Sequence, residues 1–103
     1  MFTNKTELTK KQKQEIVELA NDPSTKNVGN YGKYGNSFRL IRLLENMGYL
    51  EKMSELEDTS YSYTMDNVEC YFQKSRRSDF KSKVVMIKQA QPGWKVVDFE
   101  ILN

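Results

Sequence analysis

The hydrophobic period of this chain changes once, near residue 58, and that change constrains the fold more than any single motif. Before it, apolar residues recur at helical spacing, and after it they alternate. Helices followed by strands imply an α+β domain rather than a repeating β-α-β unit. At 103 residues the chain has the length of one domain with one core, spanning 1–103.

The first helix starts at Thr9. Thr9-Lys10-Lys11-Gln12 has capping-box form, with a hydroxyl for the N3 amide and a Gln side chain to answer it. Leu8, Ile16, Leu19 and Ala20 mark the inner face, and Asn21-Asp22-Pro23 ends the helix. A second helix covers 37–47, capped by Asn36 or Ser37 and stopped by Gly48. Phe38, Leu40, Ile41, Leu43, Leu44 and Met47 form its wide apolar sector, which makes it central to the core. Arg39, Arg42 and Glu45 are its polar positions, and the Arg42-to-Glu45 spacing suits a surface pair.

Residues 51–58 read as a polar connector. Tyr61, Tyr63 and Met65 then alternate with polar residues, as do Val68, Cys70 and Phe72, with Asp66-Asn67 as a hairpin turn between them. A third strand covers about 80–89. Gln91-Pro92-Gly93-Trp94 reads as a type II turn, and the last strand is 94–102, with Val97, Phe99 and Ile101 on one face and Trp94, Val96, Asp98 and Glu100 on the other. The expected architecture is two N-terminal helices packed on one face of a four-stranded antiparallel sheet, the other face mostly wet.

Histidine is absent and Cys70 is the lone cysteine, which removes the usual general base, the commonest metal ligand and any internal disulfide. No catalytic residue, metal or cofactor is expected, and Cys70 reads as a small buried hydrophobe. No apolar run approaches the roughly 20 residues of a membrane span, and the charged start of the chain is unlike a signal peptide. A cytoplasmic protein without membrane contact is the expectation; the oligomeric state is left open.

Charge is segregated. The net charge is +2, yet residues 1–44 carry +4, residues 45–69 carry −6, and residues 70–95 carry +6. Such blocks either neutralise each other across neighbouring elements or steer a charged partner. Two stretches could meet nucleic acid. The first, 27–37, has glycine at every third position, so backbone amides at a helix N-terminus, with Lys33 and Arg39, suit an anion and Tyr31 and Tyr34 suit base stacking. The second, 74–83, clusters Lys74, Arg76, Arg77, Lys81 and Lys83 at one hairpin, where cations contact phosphates without reading sequence. A surface loop and a solvated turn account for the same residues.

Leu8-Thr9-Lys10-Lys11-Gln12 with the helix to Leu19, and then Asn36-Ser37-Phe38-Arg39-Leu40-Ile41-Arg42-Leu43-Leu44-Glu45-Asn46-Met47-Gly48-Tyr49-Leu50-Glu51-Lys52, resemble the first and recognition helices of winged helix-turn-helix proteins. The resemblance covers about half the chain; residues 26–36 are glycine-rich where that family has its second helix. It implies Ser37, Arg39 and Arg42 in a DNA major groove and a hairpin over 61–72 as the wing. Gly93-Trp94-Lys95-Val96-Val97-Asp98-Phe99 is similar to the closing strand of nuclear-transport-factor-like or cystatin-like sheets. The function expected from these features is a small regulatory binding protein that contacts nucleic acid or a nucleoprotein through the basic hairpin, the Gly/Tyr loop and Arg42. The alternative is an inhibitor or adaptor of the mobile-element or phage type that blocks a protein complex.

Overall fold

A computed structural model describes residues 8–26, 28, 35–63, 66–76 and 82–102, the side chains of Met53 and Tyr63 excepted. Two helices, α1 (Lys10–Ala20) and α2 (Asn36–Asn46), precede a short 3-10 turn (Met53–Glu55) and four strands: β1 (Leu56–Tyr63), β2 (Val68–Ser75), β3 (Lys83–Ala90) and β4 (Lys95–Leu102). The strands form an antiparallel meander in the order β1-β2-β3-β4. Both helices contact β4, and the α+β architecture is the one the periodicity predicts. No described helix is long and apolar enough to cross a membrane.

The helix ends follow local chemistry. Gln12 N–H donates to Thr9 Oγ1 and Thr9 N–H donates to Gln12 Oε1, completing the capping box. At the other end of α2, Gly48 takes φ +86°, a conformation that costs glycine nothing. Tyr49 N–H then reaches Leu44 O at 2.9 Å and Gly48 N–H reaches Glu45 O at 3.1 Å, so the last carbonyls are satisfied. The start of α2 differs from expectation. Gly35 is the cap and makes no side-chain bond. Asn36 and Ser37 instead turn inward, Asn36 Nδ2 donating to Gly93 O and Trp94 O and Ser37 Oγ accepting from Gln89 Nε2.

The core joins Ile16 and Ala20 of α1, Leu40, Ile41, Leu43 and Leu44 of α2, Tyr49 and Leu50, and the inward sheet residues Tyr71, Val85, Ile87, Val96 and Phe99. Leu19, Phe38 and Met47, read as inward, are each more than a third exposed.

Three features of the sheet depart from the sequence reading. First, β1 begins at Leu56, inside the stretch read as a connector, because Leu56 pairs with Ser75 across a register shift and Asp58 to Tyr63 then pair with Lys74 to Glu69 without interruption. Second, the phase of β2 is inverted. Glu69, Tyr71 and Gln73 face the helices, while Val68, Cys70 and Phe72 face away, Phe72 37% exposed. Register decides this, because a one-residue slip would move every side chain to the other face. Third, Val97 is an extra residue opposite the Lys88/Gln89 step. The bulge breaks alternation, so Val96 and Phe99 are both buried while Val97 is exposed.

At the hairpin, Asp66 and Asn67 both have positive φ, as a tight turn with Asp or Asn requires. The second turn differs from a plain type II. Gly93 has the expected positive φ, but the Gln91-Pro92 peptide is cis and Trp94 is also at positive φ.

Candidate functional site

The candidate cations separate on inspection. Arg39 is fully buried and has to be withdrawn from the surface set: its Nε donates to Ala20 O at 2.8 Å and its other guanidinium end reaches Asn36 Oδ1. It therefore holds the last turn of α1, an end where a cation also complements the helix dipole. Burial lowers its pKa while Asp22 acts the other way, and a guanidinium stays charged under both influences. Lys83 is likewise corrected, since it is 1% exposed on the inner face of β3 and its Nζ donates to Tyr49 O at 3.1 Å. The sequence carried no mark of either burial. A residue flanked by other charges reads as solvated unless the register is known.

Arg42 is half-exposed and pairs with Glu45 at 3.2 Å, the bridge its spacing suggests. Lys74 is exposed and lies 3.5 Å from Glu57. Arg76 is exposed. Arg42 faces the helix side of the sheet and Lys74 the other side, so the structure does not bring these two together. Tyr31, Lys33, Tyr34, Arg77 and Lys81 lie outside the described residues. Among the described residues, no three His, Cys, Asp or Glu side chains converge as a metal site.

What the fold does bring together is a groove between α2 and the β1 edge of the sheet. Phe38, Ile41, Arg42 and Glu45 form one wall, Thr59, Tyr61 and Tyr71 the other, around a cavity of about 200 Å³. The aromatic rings step inward as a stack. Phe38 and Tyr61 have centroids 5.2 Å apart at 60°, and Tyr61 and Tyr71 4.6 Å apart at 43°. These tilted contacts hold Tyr61 in place, yet Phe38 remains 46% and Tyr61 38% exposed. Exposure of two large aromatics beside an open cavity leaves apolar area for a partner to cover.

Polar groups stabilise the groove from behind. Gln73 Nε2 donates to Tyr71 Oη at 3.2 Å and to Glu51 O at 2.9 Å, while its Oε1 accepts from Glu51 N–H at 3.2 Å. A buried glutamine on the helix side of β2 is thus satisfied by backbone. Glu69 and Ser37 share Gln89 Nε2, at 3.2 and 2.5 Å. Burial pushes the Glu69 carboxyl above the usual carboxylate range, and its bonds to Ser37 and Gln89 draw it partly back. Burial first, then Tyr71, Glu69 and Glu45, push the Tyr61 phenol upward, so Tyr61 stays a neutral hydrogen-bonding group.

Beside the groove runs β1, whose only strand neighbour among the described residues is β2. An edge strand offers a row of backbone donors and acceptors to any extended chain that approaches. At the near end of β1, Glu57 pairs with Lys74, and the exposed Asp58 opposite that lysine leaves one net negative charge. A second groove, between α1 and β4, is lined by Lys10, Lys13, Gln14, Val17, Glu18, Val97 and Asp98. The Lys13–Asp98 bridge at 3.2 Å crosses it, and Lys13 Nζ sits 5.4 Å from the Phe99 ring centre.

The α2–β1 groove does not stand out in the sequence because Phe38 belongs to the apolar sector of α2 and Tyr61 to an alternating strand, the patterns core residues also make. The signal present was the polar run Ser60, Ser62 on the other phase of β1, which marks a strand with one wet side and a short reach into the core. Comparison of the chain with models of known families, with curated proteins and with solved structures gives no match.

Proposed function

We propose that this chain is a non-enzymatic binding module that docks an extended segment of a partner protein along β1, with an aromatic or aliphatic side chain of that segment in the α2–β1 groove. The observation that carries the reading is the coincidence of an open strand edge with a groove whose walls expose Phe38 and Tyr61. Strand addition of this kind takes affinity from main-chain bonds and selectivity from the pocket beside them. Beyond the Lys74–Glu57 pair, Asp58 favours a segment with Lys or Arg near its end.

The nucleic-acid reading competes with it and rests on Arg76, with Arg77 and Lys81 beside it in sequence. With Arg39 and Lys83 inside the fold, fewer cations support that surface. The two readings separate in a co-purification from nuclease-treated lysate. The protein-docking reading expects a partner that survives nuclease and Arg76→Glu/Arg77→Glu but is lost with Phe38→Asp. Loss on nuclease or with the arginine pair, and indifference to Phe38→Asp, would place contact on nucleic acid instead. Enrichment from a random peptide library gives a second readout, and no enrichment of extended apolar-basic sequences would count against strand addition.

A further inference from the structure

The sheet face that the helices leave bare is not the wet face its position suggests. β2 directs Val68, Cys70 and Phe72 to it and β3 directs Val84 and Met86. Cross-strand pairing makes these neighbours: Phe72 opposes Val84, Val84 opposes Leu102, and Cys70 opposes Met86. Phe72, Met86 and Leu102 are 37%, 37% and 39% exposed. Val84-Val85-Met86-Ile87 is moreover an unbroken apolar run, the pattern of a strand covered on both faces rather than one. The helices cover one side of β3, and the other side lacks its cover within the described chain.

We infer that this face packs against the same face of a second copy. The charges in register with the patch are Asp58, Lys74, Lys88, Asp98 and Glu100, with Asp98 bridged by Lys13 of α1; their near balance offers no complement to a polyanion or a strongly charged protein. The apolar residues sit mainly on the two central strands, in matched rows. A two-fold axis running along the strands between β2 and β3 therefore lays β2 of one copy over β3 of the other. That operation sets Phe72 over Val84 of the second copy and Cys70 over Met86 of the second copy, apolar against apolar. It sets Lys88 over Val68 and Glu100 over Ser62, so neither of these charges meets a like charge. Four strands about 4.8 Å apart and eight residues long present roughly 500 Å² per copy. Two such footprints lie at the lower limit of specific interfaces, which are about 1,000 to 1,200 Å² in total, the size class of weak, reversible association.

Sedimentation velocity of the full chain from about 5 to about 500 μM tests this. The expected result is a shift from monomer to dimer across that range and at least a tenfold weakening with Phe72→Lys/Met86→Lys. A monomer at every concentration overturns the inference, as does a dimer indifferent to the double substitution. Should that variant fail to fold, methyl chemical shifts of the native chain give the same answer: concentration-dependent shifts at Val84, Met86 and Leu102 support the pairing. Shifts confined to β1 would assign self-association to its edge and contradict it. Neither result bears on whether Phe38 and Tyr61 dock a peptide, so the two proposals fail separately.

Discussion

The two edges of the sheet are treated in opposite ways. At β4, Asn21 stands at the end of α1 and offers its side-chain amide to the strand as a surrogate neighbour. Its Nδ2 donates to Val96 O and its Oδ1 accepts from Val96 N–H, both at 2.8 Å. The bulge at Val97 interrupts the adjoining register, and the Lys13–Asp98 bridge ties α1 across the same edge. Bulges, charges and a covering helix are the usual means of keeping an edge from pairing with another chain. At β1, the register shift is confined to the Leu56/Asp58 step at the start of the strand, pairing is regular from Asp58 to Tyr63, and the neighbouring groove exposes aromatic rings. Several residues close one edge of this small fold, and the other is the edge to which the proposed docking is assigned.

This contrast can be broken from the β4 side. The largest effect is expected from Arg39→Ala. It removes a buried cation that holds the Ala20 carbonyl and Asn36, and through them the end of α1 that carries Asn21. A loss of about 3 kcal/mol is expected in urea unfolding, with Arg39→Lys a poor rescue because a single ammonium cannot span both acceptors. Next comes Asn21→Ala, which deletes both bonds to Val96. About 1 to 2 kcal/mol should go, together with the exchange protection of the Val96 amide. Unchanged protection would mean that something other than Asn21 closes that edge.

A smaller, pH-dependent effect sharpens the β1 side. Because burial raises the Glu69 pKa in the fold, its contribution to stability is full below the unfolded value of 4.5 and is lost as pH rises through the higher folded value. Glu69→Gln should therefore gain on the native chain as pH rises from about 4 to about 7. A constant difference between the two would show that the carboxyl is not held in its neutral form. The smallest effect belongs to Lys74→Ala, since the Lys74–Glu57 pair is half-exposed at both ends. Stability should change by less than about 1 kcal/mol.

Much of the fold was legible because local chemistry wrote it. Thr9 and Gln12 announce α1, Gly48 stops α2, and Asp66-Asn67 turns the first hairpin, each through bonds or dihedrals between near neighbours. The misread parts all depend on long-range register. Val68, Cys70 and Phe72 alternate as core residues do, and only pairing with β1 and β3 shows that they face away from the helices. Gln73 and Glu69 look like surface residues, but backbone and side-chain partners distant in sequence make their burial affordable. Of the candidate site, Arg42 and the exposed Lys74 and Arg76 lie where a surface reading puts them, while Arg39 and Lys83 belong to the interior. The α2–β1 groove was harder to read, because the alternation of β1 does not show how its Tyr61 face sits against Phe38 of α2.

Amide hydrogen exchange on the isolated 103-residue chain tests the difference between the edges most directly. The β1 amides that point away from β2 should exchange at nearly unprotected rates, whereas the Val96 amide, bonded to Asn21, should be strongly slowed. Outward β1 amides protected as well as Val96 would mean that this edge is already covered, and the open-edge account would be wrong.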